Sequence, residues 1–153
     1  EGFVVTVGII DAFAVFVISA KFMDGAFLVG AGSLGSALLQ DKGLSAFGLQ
    51  IEAAFDTDKT KIGTKVNDIE IFHIDQFRAM AAERKVVIGI ITVPAEHAQN
   101  VADLMVAWGI KAIWNFTPAR IKVPTHIVVQ NTTIYMNLAI LFNKLYNDKG
   151  EKK

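Results

Sequence analysis

Apolar and polar positions along this chain fall into blocks whose period switches between strand-like and helix-like. Ala26-Phe27-Leu28-Val29 is a continuous apolar run and predicts a short strand covered on both faces. After a glycine-rich stretch, Ser33 to Gln40 predicts a helix, closed by Asp41-Lys42-Gly43. Leu49 to Phe55 predicts a second strand, stopped by Asp56-Thr57-Asp58. Lys59 to Asp68 is polar, carries Gly63 and reads as a loop, and Glu70-Ile71-Phe72 reads as a third strand. Asp75 has the chemistry of an N-cap for a helix from Gln76 to Glu83. Val86 to Val93 is nearly all apolar and rich in β-branched residues, as a central parallel strand is, and Pro94 stops it. Ala98, Val101, Ala102 and Met105 repeat at helical spacing within Ala95 to Trp108, and Gly109 marks the end of that helix. Ile110 to Trp114 and Ile127-Val128-Val129 complete the strands, the first ended by Asn115-Phe116-Thr117-Pro118. Ile134, Leu138, Leu141, Phe142 and Leu145 form one face of a C-terminal helix, followed by a charged tail, Lys149 to Lys153.

Alternation of strands and helices with right-handed crossovers predicts an α/β fold, a Rossmann-like doubly wound parallel sheet. The 153 residues suit one domain, without internal repeats or linkers, and a 52% hydrophobic content is enough for a well-buried core. The apolar stretch from Phe3 to Phe22 is interrupted by Gly8 and Asp11, and no basic segment precedes it. It therefore reads as a buried or interface helix rather than a membrane span or signal segment. Ile9, Ala12, Phe13, Phe16, Val17 and Ala20 share one broad helical face, although Phe3, Val5 and Val7 equally fit the start of a strand. Such a face needs an upstream domain or a partner to cover it. The chain starts at Glu1 and reads as a piece of a longer protein.

The most informative motif is Gly30-Ala31-Gly32-Ser33-Leu34-Gly35, set between the first strand and the first helix. In a G-x-G-x-x-G turn of this kind the first glycine permits the tight turn and the second admits a pyrophosphate. The third lets helix and strand pack closely, and the helix N-terminus offers free N–H groups to the phosphates. An acid, Asp56, stands at the tip of the next strand. A carboxylate there can accept hydrogen bonds from the adenosine ribose and repel a 2′-phosphate, which favours NAD over NADP. Lys59 and Lys61 follow closely and soften that discrimination, and Asp56 can alternatively cap its own turn with Asp58. Ligands of such sheets sit beyond the carboxyl ends of the strands. The expected site residues are therefore Gly30, Ala31, Gly32, Ser33, Leu34, Gly35 and Asp56, with Thr92, Val93 and Pro94 at the nicotinamide ribose. Asn115, Phe116, Thr117 and Pro118 close the same crevice, where Asn115 can meet the carboxamide.

Other chemistries find less support. Acidic and basic residues balance at 15 each, so this stretch alone declares no nucleic-acid-binding face. Cysteine is absent, which removes disulfides and thiolate catalysis and fits a reducing cytoplasm. His73, His97 and His126 lack metal-ligand spacing. Tyr135 is followed four positions on by Ala139, so the Tyr-x-x-x-Lys pair of short-chain dehydrogenases is missing there. His97 is the one conceivable general base, and a histidine in such a place is more often a surface residue; the lack of an acid or base at a convincing position points to a sensor or binding module and away from an enzyme.

Several segments together resemble the Rex family of redox-sensing transcriptional repressors. They are Val29 to Leu38, Ala54 to Asp58 with Lys61-Ile62-Gly63, Ile91 to Gln99, Gly109 to Pro118, and Val123-Pro124. The resemblance implies a domain that binds NADH and NAD and reports their ratio. It implies a homodimer in which the C-terminal helix, here about Thr133 to Leu145 within a segment 131–148, is swapped into the other subunit. Ile134 would then cover the nicotinamide from the partner subunit. In the family NADH closes the dimer and releases operator DNA, which is held by an N-terminal winged-helix domain absent from this sequence. Residues 1–25 would be the linker or interface segment after that domain, and 26–130 the NAD(H)-binding domain. The implied protein is cytoplasmic, contacts no membrane and is not an enzyme. Two positions depart from the family's pattern: Asp41 stands where a Tyr is usual, and Thr133 where an Asp is usual. Those two partner across the dimer in the family's switch, so the departures put that contact in doubt. A small NAD-dependent oxidoreductase using His97 and a CoA-binding domain are the alternatives.

Overall fold

The computed structural model describes residues 24–46 and 48–132. The expected C-terminal helix with Ile134, the apolar segment ahead of Asp24, and Phe47 lie outside them. Strand β1 (Asp24–Val29) leads through the glycine loop into helix α1 (Ser33–Leu39) and a single turn, α2 (Gly43–Ala46). Strand β2 (Leu49–Asp56) follows, then a hairpin of β3 (Lys65–Val66) and β4 (Ile69–His73), and helix α3 (Phe77–Arg84). Next come β5 (Ile88–Ile91), α4 (Ala95–Ala107), β6 (Ala112–Asn115) and β7 (Val128–Asn131).

The sheet runs β3-β4-β2-β1-β5-β6-β7, parallel throughout except for β3, which pairs antiparallel with β4. The first described strand, β1, therefore lies in the middle; the chain builds outward through β2 and β4 and crosses back to β5. That reversal puts the topological switch point between β1 and β5, as expected of a doubly wound sheet.

Successive side chains on a strand face opposite sides, so each central strand feeds two cores. Phe27 and Phe55 join Phe77 of α3 in one of them, with ring centroids 4.9 to 5.3 Å apart. Ala98, Ala102 and Met105 of α4 pack into the same layer. Leu28, Ala54 and Ile90 face the other side, where Leu39 of α1 meets them. All four residues of β5 are buried, which is why the stretch carries no polar alternation.

The structure corrects several boundaries. The strand is Ile88–Ile91 rather than Val86 to Val93, and registered pairing with β1 and β6 stops at those four residues. The polar loop contains β3 and the turn that pairs it with β4, made by Asn67 and Asp68 at φ +49° and +64°. Asn and Asp tolerate this left-handed backbone, which short hairpin turns require. Asp75 caps no α-helix: it lies in a 3-10 turn, Ile74–Gln76, and its N–H donates to His73 Nδ1 at 3.3 Å.

Candidate functional site

Parallel register brings four strand ends level. Val29 is opposite Phe55 on one side and Ile91 on the other, and Ile91 is opposite Asn115. The residues one step further, Gly30, Asp56, Thr92 and Phe116, therefore meet along one edge. The ladder continues through them: Gly30 N–H donates to the Phe55 carbonyl at 2.9 Å, Thr92 N–H to Val29 at 3.0 Å, and Phe116 N–H to Ile91 at 3.0 Å. The four segments expected to converge do so.

The three glycines of the loop sit in three different environments. Gly30 has φ +105°, and a Cβ there would lie 2.7 Å from the Thr92 backbone. Gly35 presses its α-carbon against the Gly30 carbonyl oxygen, which a Cβ would overlap. Around Gly32, nothing lies within 4 Å of the Cβ position. Gly32 is also the N-cap of α1, with no side chain to satisfy the first-turn N–H groups. Among the described residues, the N–H groups of Gly32, Ser33 and Leu34 have no hydrogen-bond partner. No acid occupies the first turn of α1, whereas α4 carries Glu96 in its own. Of the two helix starts at this edge, α1 thus keeps its amides and partial positive charge uncompensated, and an anion is favoured there.

Asp56 lies beside the glycine loop. Its Oδ2 accepts the Ala31 N–H at 2.9 Å, and its Oδ1 accepts the N–H groups of Thr57 and Asp58 at 2.7 and 2.9 Å. The carboxylate thus caps its own turn and also touches the glycine loop. Asp58 is engaged elsewhere. It accepts the Thr60 hydroxyl at 2.7 Å and the Thr60 N–H at 2.9 Å, and these bonds, with Lys61 nearby, hold its carboxyl below the usual range.

The other expected positions divide into accessible and internal. Ser33, Pro94 and Pro118 are exposed; Leu34, Val93 and Phe116 are half-buried; Gly30, Ala31, Gly35, Thr92, Asn115 and Thr117 are buried. Asn115 is fully enclosed. Its amide donates to the Ala119 carbonyl at 2.9 Å and to Asn131 Oδ1 at 3.0 Å, and its oxygen accepts the Thr117 N–H and hydroxyl at 3.0 and 2.8 Å. These bonds hold the turn that presents Phe116 and Pro118, so the side chain is not open to a carboxamide. Asn115→Ala would leave that buried cluster without its centre and is expected to cost roughly 2 kcal/mol or more. Urea unfolding of the variant checks this.

Two contributors were missed at the sequence level. Ser36 donates its hydroxyl to the Ala31 carbonyl at 3.2 Å, from inside the helix. His73 is paired in register with Asp56 and so stands beside it at the same edge. A hydroxyl following the last glycine of the motif was the available signal for Ser36; His73 carried none, because only the register of β2 with β4 places it. Beside the crevice, Trp114 stacks against Phe116 with centroids 4.6 Å apart and donates Nε1–H to Thr132 Oγ1 at 3.0 Å. Among the described residues no cluster of His, Cys, Asp or Glu could hold a metal ion, and no helix is long and apolar enough to cross a membrane.

Fold and site together define a doubly wound α/β domain with a glycine loop at its switch point. Comparison with known families narrows this. The family model of the CoA binding domain matches residues 23–119, and the chain belongs to that family. It is also 59% identical over 120 residues to the redox-sensing transcriptional repressor Rex of Bacteroides thetaiotaomicron, covering 78% of this chain and 54% of that protein. The chain thus spans about half the length of the curated relatives it matches. Among solved structures it is similar to RSP, a Rex-family repressor. The complex of RSP with β-NADH superposes with a TM-score of 0.80 at 29% identity, covering 88% of this chain and 65% of that one. The complex of RSP with β-NAD+ and operator DNA superposes with a TM-score of 0.80 at 29% identity, covering 90% and 66%.

Proposed function

We propose that this chain is the NADH- and NAD-sensing part of a Rex-type redox-sensing repressor. The carrying observation is the open cradle of unpartnered Gly32, Ser33 and Leu34 amides in a loop whose Ala31 N–H is held by Asp56, in a chain whose relatives are named Rex repressors. In this reading the three amides take the pyrophosphate, and Asp56 takes the adenosine ribose with whatever acceptor capacity its three backbone bonds leave. Val93, Pro94, Phe116 and Pro118 border the nicotinamide end. Thr92, Asn115 and Thr117 act from behind, holding the surfaces that touch the ligand. The partner subunit's copy of the C-terminal helix would bring Ile134 over the nicotinamide, in a homodimer. Operator DNA would be held by a winged-helix domain outside this sequence, in a cytoplasmic protein.

Sensing requires that NADH and NAD+ differ in affinity for one arrangement of the dimer. Reduction removes the positive charge of the nicotinamide, and the half-buried Val93 and Phe116 favour the neutral ring. The names of the relatives support a regulator and not an enzyme, and His97, exposed at the start of α4, is given no catalytic part.

Emission from the two tryptophans, Trp108 and Trp114, overlaps the absorption of reduced nicotinamide, so quenching on addition of NADH reports binding. NADH is expected to bind more tightly than NAD+, and NADPH more weakly than NADH because Asp56 repels a 2′-phosphate. Equal affinities for the two redox forms would rule out sensing. Binding of coenzyme A in preference to either would move the chain to the activity for which its family model is named.

A further inference from the structure

We propose that Thr92 is a positioning residue, which with Asp56 grips the two ends of the Gly30–Ala31 peptide and so aims the next loop amides into the crevice. This rests on the nucleotide reading above. A trans peptide holds its C=O and N–H antiparallel in one plane. The Gly30 carbonyl accepts the Thr92 hydroxyl at 2.7 Å, and the N–H of the same peptide, from Ala31, donates to Asp56 Oδ2 at 2.9 Å. The two partners come from opposite sides of β1, one at the tip of β5 and the other at the tip of β2. Fixing both ends fixes the plane.

The clamp answers a local weakness. Gly30, at φ +105°, gives the backbone little intrinsic preference, so the orientation of the following peptide must come from its neighbours. The Ala31 carbonyl is then held by the Ser36 hydroxyl at 3.2 Å, which turns the Gly32 N–H the other way. The Thr92 hydroxyl has a single proton to donate, and its oxygen is nearer the Gly30 carbonyl at 2.7 Å than the Val29 carbonyl at 3.1 Å. It is buried, 8% exposed, so no water replaces it easily. A Cβ on Gly35 would come within 3.0 Å of the same hydroxyl, so the clamp closes only over glycine there. A site that must receive a rigid diphosphate gains from such pre-orientation, because the loop need not be ordered on binding.

Thr92→Val keeps the shape and removes the donor, while Thr92→Ser keeps the donor. The test measures NADH affinity by quenching, the unfolding midpoint, and the amide proton and nitrogen shifts of Ala31. T92V is expected to bind NADH about 10-fold more weakly and to shift the Ala31 amide as its carboxylate bond loosens. T92S should stay within about threefold of the parent on the same scale with the Ala31 amide in place. T92V with an unmoved Ala31 amide and parental affinity would overturn the clamp. T92S as weak as T92V would overturn it too, by assigning the effect to the lost methyl. If the parent chain itself binds no NADH, the nucleotide reading fails, and the Ala31 shifts alone still decide whether the clamp exists.

Discussion

Gly32→Val should abolish NADH binding and leave the fold standing. The space in front of Gly32 is open, with no atom within 4 Å of a Cβ, and the backbone there is extended at φ −75°, which any residue adopts. A valine side chain would fill the volume in which the first-turn amides must meet the phosphates. Losing those contacts is expected to weaken binding about 100-fold or more, equivalent to about 2.7 kcal/mol. Valine is a poorer N-cap than glycine, so the cost to stability is about 1 kcal/mol or less. Quenching titrations and thermal melts on one preparation separate the two effects. A variant that binds normally would show that the anion does not approach Gly32.

Gly35→Ala should do the reverse: destabilise first and impair binding as a consequence. The added carbon would overlap the Gly30 carbonyl oxygen, a backbone atom pinned by Thr92 and unable to swing aside. Overpacking of this sort costs about 3 kcal/mol, which lowers the melting temperature of a domain this size by about 10 °C. The α1 helix must move away from β1, which drags Gly32 with it. A melt shifted by less than a few degrees would mean the helix can ride outward freely, and the tight packing at this junction would be refuted. Substituting two glycines of one motif thus separates ligand approach at Gly32 from helix–strand packing at Gly35.

The sequence carried much of this architecture because the large elements are written in burial. The unbroken apolar run around Ile88–Ile91 and the helical spacing of Ala98, Val101, Ala102 and Met105 both reflect the two layers they fill. Short elements escaped for the opposite reason. Two-residue β3 and four-residue α2 bury too little to leave a period, and the hairpin depends on two left-handed residues, Asn67 and Asp68, that look like ordinary loop. The candidate site was legible in the spacing of its three glycines between a strand and a helix, with an acid at the tip of the next strand. Asn115 was legible as a polar residue at the right edge, yet its bonds to Thr117, Ala119 and Asn131 point inward.

Residue order alone determined the winding of the sheet, the place of the glycine loop and the acid beside it, because backbone freedom and apolar periodicity are properties of neighbours along the chain. Only the tertiary structure decided which of these groups touch. Thr92 reaches the Gly30 carbonyl across 62 positions of sequence, and Asp56 reaches Ala31 across 25. Such partners are chosen by strand register, and register is set by how side chains from distant segments pack on both faces of one sheet.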